Sequence, residues 1–346
     1  MDLDKLRNWS PPDSWTTIST IDAHTGGEPL RIILDGFPDI QASSILELRR
    51  VVRDQYDHLR TALMFEPRGH ADMYGCLVTP PMTSEADFGV LFMHNEGYSS
   101  MCGHGIIAVT TAMVESGAIE PSDPETVVRI DTPSGLVTAF AISEGGRVKS
   151  VRFHNVPSFV VDLDNELEVP DLGPVTYDLA FGGAFYAYVQ AEPLGLELTV
   201  SSARELIHKG MLIKNAVMQS REIEHPFEPD LSFLYGTIFI GPPLSSDADS
   251  RNVCIFAEGE VDRSPTGTGV SGRVAIHHAR GELEVGRSMT IESIVGSRFG
   301  ARVVEETRFG SHQAIIPEVT GSASITGKHE FVVDPDDPLG QGFIIR

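Results

Sequence analysis

The chain has 346 residues, 41% of them hydrophobic and 22% charged, the balance of a soluble globular protein with room for two cores. Its formal net charge of −23 excludes nucleic acid and anionic membrane as main partners, because the global field repels both. Three cysteines, an odd and sparse set, argue against a disulfide framework and fit a reducing cytoplasm.

The N-terminal "MDLDKLRNWSPPDSW" lacks the apolar run of a leader peptide, and no apolar run elsewhere is long enough for a bilayer. "LRIIL" reads as a strand. "ASSILELRRVVRDQYDHLRTAL" carries apolar residues at helical spacing. "ADMYGCLVT" and "FGVLFM" read as strands, then a helix-period run follows Cys102. "TVVRI", "LVTAFAI", "VKSVRFHNV" and "FYAYVQ" continue the strand series, and "SARELIHKGMLIKNAVMQ" is helical. "YGTIFIG" and "NVCIFAE" precede a last helix, "VSGRVAIHHA", and "SMTIESIV" and "SASITG" close the chain. The protein is therefore α+β, richer in strand than in helix, with short turns favouring antiparallel pairing.

An internal repeat organises these elements. "FMHNEGYSSMCGHG" aligns with "FAEGEVDRSPTGTG": Phe92 with Phe256, Ser100 with Ser264, Cys102 with Thr266, Gly103 with Gly267, Gly105 with Gly269. One offset serves every pair, and each motif runs into a helix closed by a glycine, Gly117 or Gly281. "DAHTGG" near the start is echoed by "DLAFGG" at Asp178–Gly183. Two halves of one topology follow, each opening a central helix with a glycine-rich turn.

A helix N-terminus presents unpaired N–H groups and the positive end of its dipole, and glycine lets a ligand approach it closely. Two such turns across a cleft would hold a small carboxylate despite the chain's acidity. Cys102 stands at the first turn, where the dipole favours thiolate. Cys76 and Cys254, in strand-like apolar runs, read as inert core residues. A thiolate beside a cage of N–H donors suits removal of an α-proton, since the donors stabilise the charge that develops on the neighbouring carboxylate. A cysteine hydrolase and a silent binding protein are the readings from other classes. No metal motif is present, and the glycine turns match no nucleotide-binding pattern.

"DAHTGGEP", "MCGHG" and "DRSPTGTG", in this order, resemble the proline racemase superfamily over nearly the whole chain. The resemblance implies a cofactor-independent enzyme acting at the α-carbon of a small cyclic amino acid, and a homodimer. It also implies two pseudo-symmetric domains, each a curled, mostly antiparallel sheet or barrel around a central helix. The division expected is 1–160 with 334–346 returning, and 161–333, with the site between the halves. Racemases and epimerases of the superfamily carry a cysteine in both motifs. Here the second position is Thr266, as in the branch that eliminates water from a 3-hydroxylated proline. By position, Cys102 is then the base and Thr266 lies opposite. Gly103, His104, Gly267 and Thr268 would bind the carboxylate, and Asp262 the ring ammonium. The nearest rival is racemisation or 2-epimerisation.

Overall fold

The computed structural model describes residues 1–345. After a short helix α1 (Leu3–Arg7), strands β1 (Thr16–Thr25) and β2 (Glu28–Asp35) form a hairpin around Gly26 and Gly27. Both glycines have positive φ, +60° and +95°, as a two-residue turn that follows strand twist requires. Helices α2 (Ile45–Gln55) and α3 (Asp57–Met64) cross over to β3 (Tyr74–Thr79), parallel to β2. Next come β4 (Phe88–His94), β5 (Gly97–Tyr98), α4 (Gly103–Glu115), β6 (Thr126–Thr132) parallel to β4, β7 (Gly135–Glu144) and β8 (Arg147–His154).

The same order then recurs. β9 (Ser158–Val169), β10 (Gly173–Phe181) and β11 (Phe185–Gln190) lead through α5 (Ala203–Ser220) to β12 (Leu234–Gly241), parallel to β11. β13 (Ser250–Phe256), β14 (Glu260–Val261) and α6 (Gly267–Ala279) precede β15 (Ser288–Glu292), parallel to β13. β16 (Arg298–Phe309), β17 (His312–Gly321) and β18 (Ala323–Val333) complete the chain. The repeat read from the sequence is thus a repeat of strand topology with equivalent central helices α4 and α6, the single helix α5 standing where the first half has α2 and α3.

Pairing closes two barrels. The second runs β9–β10–β11–β12–β13–β15–β16–β17 and returns to β9 at Ser158 and Phe159. The first runs β1–β2–β3–β4–β6–β7–β8, then meets the end of β17 and continues as β18, which pairs with β1 over Thr16–Thr25. The expected division assigned 161–333 to the second half, whereas β18, inside that range, is hydrogen-bonded to β1. Passage between halves occurs twice, at β8 to β9 and at β17 to β18.

Each barrel surrounds one helix. Ile106, Ile107, Val109, Val270 and Val274 are all fully buried. Each such side chain removed from water is worth about 1.5–3 kcal/mol. A smaller core lies under α2 and α3, where Leu48, Val52 and Leu63 pack on Ile33, Leu91 and Met93. The single helix expected over this stretch breaks at Tyr56, whose φ/ψ of −128°/14° ends α2 before Asp57 starts α3. There Asp57 takes both nitrogens of the Arg60 fork and the Tyr98 hydroxyl.

Candidate active site

Cys102 is the N-cap of α4, in extended conformation, and its sulfur accepts the Gly105 N–H at 3.2 Å. Residue 105 must be glycine here: a Cβ would lie 2.5 Å from the Phe92 ring and 2.9 Å from Sγ. His104 brings Nδ1 to 3.3 Å from the same sulfur, with its ring edge-on to Tyr74. Burial drives the His104 pKa down to about 3, so the imidazole is neutral through the physiological range. Burial also pushes the Cys102 thiol up, against the pull of the Gly105 N–H. The thiolate expected from the helix dipole alone is therefore opposed by desolvation, which outweighs a single helix end in a site this closed.

Thr266 occupies the same place on α6, but with φ at +68°. A β-branched residue in left-handed backbone is an outlier, of a kind that clusters at working sites. Its N–H is held by Ser264 Oγ at 3.1 Å, while its buried hydroxyl lies close enough to the Asp262 carboxyl to favour that group's ionised form. Asp262 precedes it and accepts the Ser264 N–H at 2.7 Å. Burial raises the Asp262 carboxyl to about 6 against the pull of Ser264, the Thr266 hydroxyl and the Arg263 charge. Thr268 Oγ1 bonds the Tyr186 hydroxyl at 2.7 Å.

The two motifs meet. A Cβ on Gly103 would fall 2.6 Å from Gly267 Cα, and one on Gly267 would fall 2.6 Å from Gly103 Cα. The N-terminal turns of α4 and α6 thus touch backbone to backbone, which two glycines permit and other residues do not. The N–H groups of Gly103, His104, Gly267 and Thr268 lie in these first turns, where no intrahelical acceptor exists. Cys102, His104, Asp262, Thr266 and Thr268 are each no more than 5% exposed, so the site is closed to solvent in this structure. All seven residues picked out by sequence therefore lie on these two touching turns or, for Asp262, directly before one. His70, outside that set, is exposed and bonds the Ala71 carbonyl. No cluster of three or more metal-ligating side chains occurs among the described residues.

Residues 20–344 match the proline racemase family. The chain belongs to that family. Proline racemase relatives include a trans-3-hydroxy-L-proline dehydratase of Colwellia psychrerythraea, 50% identical over 99% of this chain and 97% of its own. A 3-hydroxyproline 2-epimerase of Burkholderia multivorans is 47% identical over 95% and 98%. The solved structure of a hydroxyproline epimerase from Agrobacterium vitis, with bound trans-4-hydroxy-L-proline, superposes with a TM-score of 0.91 at 35% identity, covering 96% of each chain.

In this proline racemase fold the hairpin turn of each half reaches across to the other half's motif. Ser100 Oγ donates to the Gly183 carbonyl at 2.7 Å, and the Arg263 N–H donates to Glu28 at 2.7 Å. Sequence reasoning missed Glu28, and it missed the wall of Tyr74, Tyr186 and Tyr235 beside the site. Tyr74 bonds Ser99, and its hydroxyl lies 3.5 Å from that of Tyr235. The signal available for Glu28 was an acidic residue opening an apolar strand directly after "GG". The tyrosines sit in strand runs where an aromatic residue is ordinary.

Proposed function

We propose that the chain converts trans-3-hydroxy-L-proline to pyrroline-2-carboxylate and water. The observation that carries the reading is the asymmetry of the two helix N-cap positions: a sulfur at Cys102, and a hydroxyl in its place at Thr266. The Cys102 thiolate takes the α-proton. The C–H electron pair forms the double bond to C3 as the C3–O bond breaks, and the hydroxyl, which lies on the same ring face as the α-hydrogen, leaves as water with the proton that Cys102 took, restoring the thiolate. The cyclic enamine then shifts a proton to give the imine. Thr266, whose hydroxyl titrates far above a thiol, faces the other side of the ring and does not act as a second base. The first-turn N–H groups hold the carboxylate and the charge that builds on it, and Asp262 holds the ammonium. No step calls for a cofactor.

Epimerisation is the second reading, favoured by the epimerase names among the relatives. It needs a base on each face, and one face here offers only Thr266. Incubation with trans-3-hydroxy-L-proline, trans-4-hydroxy-L-proline and proline separates the two. The lyase reading expects a pyrroline product, trapped by an aldehyde reagent, from the 3-hydroxylated compound alone. Inversion of optical rotation without that product overturns it. Light scattering on the purified chain tests the homodimer that the family resemblance implies.

A further inference from the structure

One fully buried carboxyl beside the site has no role in the steps above. Glu28 opens β2 immediately after the Gly26–Gly27 turn. Its side chain crosses to the second half, where Oε2 accepts the Arg263 N–H at 2.7 Å. Its other oxygen, Oε1, is buried with no hydrogen-bond partner among the described residues. Arg263 lies between Asp262 and Ser264, and Ser264 in turn holds Asp262 through its N–H and Thr266 through its hydroxyl. The groups facing Glu28 are Asp262, Arg263 and Asp72, with Cys254 beyond them. The Arg263 guanidinium, 3.8 Å from Glu28, is nearer to Asp72 at 3.2 Å. The repeat gives Glu28 no counterpart, since Ala184 follows the matching "GG" of the second half. The extra carboxyl is thus placed only on the side of the cleft that bears Thr266.

We propose that Glu28 is a positioning residue for ammonium recognition: as a neutral carboxylic acid it clamps the Asp262–Thr266 turn across the cleft through the Arg263 N–H, leaving Asp262 as the one charged acceptor for the substrate's ring nitrogen. Burial first, and the neighbouring Asp262 second, push the Glu28 carboxyl well up, which supports the proton on Glu28. Two buried carboxyls side by side do not both ionise. A single negative charge then meets a single ammonium. Were both ionised, the empty site would hold an excess charge that the half-exposed Arg263 cannot offset.

The inference rests on the role given above to Asp262, and the test separates the two. Glu28→Gln keeps a neutral side chain of the same size with an oxygen for the Arg263 N–H. Glu28→Ala removes the clamp. Steady-state kinetics on the full chain are expected to give Glu28→Gln a KM within about twofold of the parent, and Glu28→Ala a KM raised by about tenfold or more with a smaller change in kcat. Infrared spectra of the parent near neutral pH are expected to contain a protonated-carboxyl stretch that Glu28→Gln abolishes. That band is readable even if Glu28→Ala fails to fold. A band absent from the parent, a KM equally raised in both variants, or a Tm loss in Glu28→Ala without a change in KM overturns the proposal. A parent that neither binds nor turns over the substrate overturns the lyase reading instead, and the infrared band still decides the state of Glu28.

Discussion

Cys102 and Thr266 occupy the N-cap positions of matching helices, yet their side chains differ in what losing a proton requires. Burial raises the Cys102 thiol, but an aliphatic hydroxyl starts several units higher still and gains nothing from the same burial. Cys102→Ser is expected to lower kcat by about 10²–10⁴-fold in a product assay while leaving Tm within a degree or two. Thr266→Cys supplies the missing sulfur. It should weaken dehydration and, in deuterated water, start exchange of the α-hydrogen from the opposite face, read by mass spectrometry. Asp262 gives a prediction of stability. Its carboxyl titrates at about 6 in the fold, above its ordinary value because of burial. The folded state therefore binds this proton more tightly than the unfolded chain, and the stability it contributes is present at low pH and lost as pH rises through about 6. Asp262→Asn removes that loss: its Tm should exceed the parent's at about pH 8 and match it at about pH 4, with substrate binding lost at both.

Contact between the first turns of α4 and α6 is what turns two loops into one site. Gly103→Ala and Gly267→Ala each push a methyl group into the facing backbone, 2.6 Å from the opposite Cα. Overpacking of this kind costs about 1–3 kcal/mol, measurable as a fall in urea midpoint, and it should raise KM by spreading the N–H donors. These helices were legible in the sequence because a cap, a glycine pair and a closing glycine bracket each apolar run. Strands β2, β3, β4, β6, β11, β12 and β13 were legible because their runs are dense in apolar, β-branched and aromatic residues. β9 and β16 were not: "SFVVDLDNELEV" and "RFGARVVEETRF" alternate core residues with exposed acidic and basic ones, and the charge masks the period. β10 and β17 went unread as well, each interrupted by proline, and with them the closure of the barrels. Site residues emerged wherever a glycine motif marked them. Glu28 was the exception: it stands in the "DAHTGGEP" motif, but its contact with the Arg263 N–H of the other half is not encoded locally.

At the scale of the whole molecule, the halves are joined where β8 passes to β9 and β17 to β18. Glu318 sits on β17 beside this crossing and is gripped by Arg152 at 2.7 Å, Arg302 at 2.8 Å and His154 at 3.1 Å. Burial opposes its ionisation, but these partners prevail and hold the carboxyl down to about 2. The stability it contributes is thus present above its unfolded pKa and lost as pH falls towards about 2. Glu318→Ala leaves three cationic or protonatable groups facing one another and should cost about 3 kcal/mol near neutral pH. The difference from the parent should narrow on acidification, as urea midpoints across that range would record. The crossing also bears on how such a chain arose. Severed at residues 155–157, the first piece would lack β18 and leave β1 with an open edge. A half-length ancestor of this topology would complete itself only as a strand-exchanged pair, each copy lending its last strand to its twin. Fusion of the two genes would then have freed one copy to give up its sulfur, leaving a single chain whose faces could specialise.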